Sequence, residues 1–215
     1  MFFQHIYQTE LANEPADVRS ALIWDIAKRA MERARLRSVP TTPATIEEVI
    51  DRFEQGNHPE LYQSMYLGHV FHDFPRRNRA GQQNRSSQQN RSSQRRRRHA
   101  IILVNRPVLA DVYRTCTWYA MDGTFKTTPR ISSDLSDRAA QMLTITTDYH
   151  GKPVVLFVVV MQSRKRPLYR KVFQKIHELE PFFDPIQMMC DFERSMRCGF
   201  KDIFKDSKIF GCRLA

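Results

Sequence analysis

The stretch QMLTITTDYHGKPVVLFVVVM, residues 141–161, constrains the fold more than any other part of the sequence. Two runs rich in β-branched residues flank His150-Gly151, a pair suited to a tight hairpin turn. The pattern predicts strands over 141–149 and 152–161. The second contains VVLFVVVM at 154–161, eight apolar residues against the roughly 20 that a membrane helix needs. It reads as a buried strand.

The segments around this hairpin extend it into a sheet. A strand is expected at 101–104, a short helix around 106–115 and a strand over 117–126. After the hairpin, Leu168, Val172, Phe173 and Ile176 mark the buried stripe of a helix over 167–180. A strand over 186–192 follows, then a helix over 193–205 with Met196, Phe200, Ile203 and Phe204 inward, and a last strand at 208–212. From residue 117 onward, three strands follow one another without a helix, and two more alternate with helices. The first three form an antiparallel meander, and the later two add in parallel through crossover helices. The expected fold is α/β, a mixed five-stranded sheet with flanking helices.

A helical N-terminal segment precedes it. Val18, Leu22, Ile26 and Ala30 recur every four residues on one face of a helix over 17–37, with Lys28, Arg29, Arg33, Arg35 and Arg37 mostly off that face. Pro40 and Pro43 end it. Thr45 and Glu48 make a capping box for a second helix, whose stripe is Ile46, Val49, Ile50 and Phe53. The chain thus divides into a helical, partly basic region at 1–74, a linker at 75–99 and the sheet from 100 to 215.

The linker holds most of the charge. It carries nine arginines and no acid, and taking these from the net charge of +11 leaves +2 for the rest. Its repeat QQNRSSQQNRSSQRRRR has no apolar surface to bury and is expected to be disordered. Arg95, Arg96, Arg97 and Arg98 suit backbone contacts to nucleic acid, and equally a solvated linker or a nuclear-import signal. Arg29 and Arg33 are weaker candidates of the same kind. The sequons at Asn84 and Asn90 read as chance matches. The N-terminus resembles no signal peptide, and four cysteines without a CxxC pair suit a reducing compartment, so a nuclear or cytoplasmic protein is expected, not secreted and without membrane partners.

Within this plan two carboxylates stand out. Asp122 interrupts an apolar strand in WYAMDGTF, and Asp191 ends the first strand after a crossover helix in MMCDFERS. That strand belongs beside the one bearing Asp122, where strands run about 4.8 Å apart. Two carboxylates at matched heights repel unless a cation lies between them, which suits a divalent ion in phosphoryl transfer. Hard oxygen ligands favour magnesium or manganese over zinc. An edge position for Asp122 and an N-cap role for Asp191 are the bland alternatives.

The wording around the pair resembles a known family. WYAMDGTF, the hairpin, YRKVFQKI, MMCDFERS and IFGC occur here in the order and spacing found in Mutator-like element transposases. RAMERARLRSVPTTPATIEEV and AIILVNRPVLADVYRTCTW resemble the segments that precede the first aspartate in that family. The resemblance implies a ribonuclease-H-like fold and a metal-dependent, Asp-Asp-Glu transposase acting on DNA. It places Asp122 and Asp191 as the first two catalytic aspartates and metal ligands, with Mg2+ or Mn2+ as cofactor. Gly123 is then read as allowing close backbone approach, Phe125 as packing, and Glu193 as supporting rather than catalytic.

The family's catalytic Glu lies well downstream of the second aspartate, beyond a helical insertion, and the sequence given stops at Ala215. No third catalytic Glu is assigned in this chain: Glu178 and Glu180 sit on the crossover helix with no evident reach to the site. The expectation is a transposase-derived domain without a competent active site. Its sheet would be left partly bare for an oligomer or partner to cover. The alternatives are a non-catalytic nucleic-acid-binding protein derived from a transposase, and an interaction module with no nucleic-acid role.

Overall fold

The structure, a computed structural model, describes residues 43–57, 60–75, 95–125 and 139–211, with scattered positions between 8 and 33. Two compact units separate at Thr42. In the first, residues 8–9, 11–12, 24, 27–31 and 33 are helical, and Arg33 Nε donates to the Arg29 carbonyl at 3.2 Å. Ala30, expected on the apolar stripe, is exposed there. The rest of that helix, both sequons and most of the linker lie outside the described residues.

The second unit, from Pro43, is built on one sheet. Its elements are α1 (Ile46–Glu54), α2 (Glu60–Met65), β1 (Tyr66–Pro75), β2 (Arg95–Val104), α3 (Arg106–Thr115), β3 (Trp118–Thr124), β4 (Gln141–Tyr149), β5 (Lys152–Met161), α4 (Arg166–Leu179), β6 (Gln187–Cys190), α5 (Arg194–Lys201) and β7 (Lys208–Gly211). The strands lie in the order β1-β2-β5-β4-β3-β6-β7, parallel at β3–β6 and β6–β7 and antiparallel elsewhere.

The sheet therefore has seven strands, not five. Strands β3 to β7 follow the expected meander with two parallel additions. The extra pair is an antiparallel hairpin-like ribbon, β1 and β2, joined to the outer edge of β5. Strand β1 falls in a region expected to be helical, and β2 begins at Arg95, inside the expected linker. Backbone pairing with β1, helped by side chains of that strand, carries the arginine half of β2. Arg97 lies opposite Asp73, its Nε 3.2 Å from Oδ1, and its guanidinium sits 4.3 Å over the Phe71 ring. A strand needs no apolar side chains of its own when its partner supplies the charge and the ring.

Local signals formed several elements as read. Thr45 Oγ1 accepts from the Glu48 amide at 3.1 Å, while Glu48 Oε2 accepts from the Ala44 amide at 2.8 Å. This starts α1, which buries Ile46, Ile50 and Phe53 against Ile101 on one face of the sheet. His150 and Gly151 both have positive φ, 54° and 73°, the geometry of a two-residue turn with Gly second. On the opposite face, α4 seats Leu168, Tyr169, Val172, Phe173 and Ile176, all fully buried. Phe183, in the loop before β6, has Tyr119, Phe157 and Phe204 rings 5.1–5.6 Å away.

The contact of α1 with β2 is sensitive to acid. Buried His99 places Nε2 3.2 Å from Glu47 Oε1, and its Nδ1 has no partner among the described residues. Burial holds the His99 imidazole below its ordinary value, with Glu47 opposing and His69 and Arg97 adding. The unfolded chain therefore takes up a proton near pH 6.5 that the folded one refuses, so stability falls as pH drops through and below that value. Thermal unfolding midpoints between pH 7.5 and 5 are expected to decline less steeply in a His99→Gln variant than in the native chain; parallel declines would show that His99 contributes nothing.

Candidate functional site

The site begins where the ladder between two parallel strands ends. In the β3–β6 ladder Trp118 pairs with Gln187 and each following residue keeps step, up to Met121 beside Cys190. Met121 and Cys190 are both buried. One residue further stand Asp122, exposed, and Asp191, half-buried. The two sequence-chosen carboxylates thus stand one residue past the last ladder pair, Asp122 within β3 and Asp191 just after β6, on neighbouring strands whose paired backbones lie about 4.8 Å apart.

Their surroundings differ. No hydrogen bond or ion pair engages the Asp122 carboxylate among the described residues; its backbone carbonyl accepts from Thr144 Oγ1 at 3.4 Å. Asp191 Oδ1 accepts from the Glu193 amide at 3.1 Å, which starts the turn into α5. The N-cap residue of α5 is Glu193, and its side chain makes no capping bond.

Glu193 turns instead toward α4, where its Oε1 accepts from the Tyr169 hydroxyl at 3.0 Å. The same hydroxyl accepts from Gln141 Nε2 of β4. Burial pushes the Glu193 carboxyl above the ordinary carboxylate range. The Tyr169 hydrogen bond and the charge of Arg164 work against this, and Asp191 adds to it. Burial likewise raises the Tyr169 phenol well above its usual value, and raises the Cys190 thiol to about 11. The neighbouring sulfur is therefore a neutral, inert group, and carboxylate oxygens are the ligands on offer.

Helix direction decides which glutamates come near. A crossover helix runs antiparallel to the strands it joins, so the first turn of α4 lies over the ends bearing the aspartates. Eleven residues at 1.5 Å put Glu180 about 16 Å further along. There it accepts from Arg106 at 3.3 Å and from the Tyr113 hydroxyl at 3.5 Å. Glu178 accepts from Gln174 at 2.9 Å. Among the described residues no group of three His, Cys, Asp or Glu side chains is arranged to hold a metal ion.

Other expectations need correction. Gly123 gives close approach to a side chain, not to backbone: a Cβ there would stand 3.0 Å from Gln141 Oε1. Phe125, expected to pack, is 49 % exposed with the Arg164 guanidinium 4.6 Å over its ring. Gln141, Tyr169 and Arg164 were not foreseen. Only Gln141 left a trace in the sequence, as a polar residue opening a strand that buries it completely. Arg95 to Arg98 lie in β2, far in strand order from Asp122, and Arg97 is already engaged by Asp73 and Phe71. Arg29 and Arg33 are exposed in the first unit.

The far face of the sheet leaves Trp118, Val155 and Phe210 between 38 % and 47 % exposed, and Ile186, in the loop before β6, is 55 % exposed. Among the described residues no helix is long and apolar enough to cross a membrane. Chemically, two hard carboxylates just past a shared ladder would suit a divalent cation with water filling the remaining positions; they do not make a site saturated by protein. In comparisons with known proteins, no family model, no curated protein and no solved structure matches the chain.

Proposed function

We propose that this chain carries the metal-binding front of a ribonuclease-H-like phosphoryl-transfer domain of the Mutator-like transposase kind, acting on DNA. The observation that carries the reading is that Asp122 and Asp191 each follow the last pair, Met121 and Cys190, of the parallel β3–β6 ladder. The run β5-β4-β3-β6-β7, a meander with two parallel additions, supports it as the mixed arrangement such a sheet requires.

The donor set fits a hard ion held by Asp122 and Asp191, and Mg2+ or Mn2+ bound there would supply charge neutralisation for a phosphate. Asp122 offers both oxygens. Asp191 offers one freely, its other oxygen being fixed by the Glu193 amide. Glu193 and Tyr169 brace this turn from behind, and Glu193 works as a support rather than a ligand. With two carboxylates, binding is weak and the ion loosely oriented. Efficient strand cleavage, which depends on positioning, is not expected of these residues alone.

A Mn2+ titration followed by electron paramagnetic resonance tests the reading. Asp122→Asn and Asp191→Asn are each expected to weaken binding tenfold or more while circular dichroism stays unchanged. Equal Mn2+ affinity in native and variant proteins would sink the assignment. Robust metal-dependent DNA nicking lost in Asp122→Asn would show that the pair needs no third carboxylate.

A further inference from the structure

Immediately beyond Asp191 the surface changes character. Phe192 is 64 % exposed, yet its ring is not loose: a Cβ on Gly211 of β7 would stand 2.6 Å from its Cζ. The ring therefore rests against bare backbone. Beside it opens a groove of about 430 Å³, lined by Phe192, Arg194, Arg197, Cys198, Lys201 and Ile209.

The lining carries three cations and no acid. Arg194, Arg197 and Lys201 recur at helical spacing on the outward stripe of α5, while Met196 and Phe200 go inward. Lys201 Nζ donates to the carbonyls of Lys205 and Ser207 at 2.8 and 2.6 Å. Arg194 and Arg197 have no ion-pair partner among the described residues. The Arg197 guanidinium stands 5.8 Å from the Phe192 ring centroid. Seven residues of helix span about 10 Å, enough to meet two successive phosphates along one strand.

We infer that this groove binds single-stranded nucleic acid, with a base stacked on Phe192 and successive phosphates on Arg194 and Arg197. An exposed aromatic platform bordered by unpaired cations matches the two faces of a single strand, its bases and its backbone. A duplex hides its base faces and leaves Phe192 without a partner. An acidic polypeptide matches the charge but offers no planar ring. That the bound strand is the substrate of the carboxylate pair rests on the preceding proposal; the binding itself does not.

The test is fluorescence anisotropy of a labelled twelve-residue thymidine strand with the full chain in EDTA, across a KCl series. Native protein is expected to bind the strand at least tenfold more tightly than the matching duplex. Phe192→Ala should weaken strand binding about 5- to 100-fold and abolish the preference, Phe192→Trp should retain both, and Gly211→Ala should behave like Phe192→Ala. Arg194→Gln and Arg197→Gln should each reduce the slope of log affinity against log salt by about 0.7. No strand binding, a preference unchanged in Phe192→Ala, or equal competition by polyglutamate overturns the proposal. Strand binding of the expected kind in a protein whose Mn2+ affinity ignores Asp122 supports it and overturns the phosphoryl-transfer reading instead.

Discussion

Tyr169→Phe is expected to destabilise the protein by about 2–4 kcal/mol, although it removes a single oxygen. That oxygen is the junction of Gln141 on β4 and Glu193 at the start of α5. Its loss strands a fully buried amide donor, and each unsatisfied buried group costs about 1–3 kcal/mol, more when charged. Gln141 Nε2 keeps only a weak contact with the Met161 sulfur at 3.6 Å. Glu193 loses the hydroxyl that opposes the effect of burial, so its carboxyl moves further upward. For a chain of this size the midpoint of thermal unfolding should fall by roughly 4–16 °C. A fall under 2 °C would mean that water replaces the hydroxyl and that Tyr169 is mere packing.

Gly199→Ala is the second large effect, and its sign rests on a balance. In a helix interior alanine is better than glycine by about 1 kcal/mol. Here, however, the new methyl would lie 2.6 Å from Tyr169 Cβ and 3.1 Å from the Arg170 amide nitrogen. Neither atom is the end of a flexible side chain, so α5 must move off α4. Overpacking of this kind costs typically 1–3 kcal/mol, occasionally more, and contact with backbone belongs at the upper end. A net loss of about 2 kcal/mol is expected in urea unfolding. A variant as stable as the native chain would show that the two helices have slack. Because Tyr169 holds Glu193, and the Glu193 amide holds Asp191, weaker Mn2+ binding should accompany the loss.

Which features were readable in the sequence follows from how local their causes are. The His150-Gly151 turn, the capping box of Thr45 and Glu48 and the buried stripe of α4 are each decided within a few residues of chain. The place of β6 beside β3 was readable at longer range, because a meander followed by crossover helices leaves few positions for the next strand. Of the β1–β2 ribbon only the apolar half of β2 was readable, as the strand at 101–104; β1 and the arginine half were not. Gly68, at φ 153° beside a register shift, breaks the alternation of β1, and the arginines of β2 look like a solvated run until Asp73 and Phe71 are placed opposite them. Site support was hidden for a related reason. Tyr169 looks like any core position of an amphipathic helix, and only tertiary packing turns its hydroxyl toward Glu193. Arg164 looks like any cation in a basic loop.

The four-residue strand β6 also decides when the carboxylates come into existence as a pair. Asp122 and Asp191 stand about 70 residues apart in the chain, and they meet only after α4 has docked and β6 has slotted between β3 and β7. Parallel pairing across such a separation pays its closure entropy before any contact rewards it, so it forms late. A folding molecule with its meander complete holds Asp122 alone. Transient opening of the short β6–α5–β7 flap in the native state would dismantle the cation grip while leaving the hairpin untouched, making metal affinity a direct report on that edge's protection against hydrogen exchange.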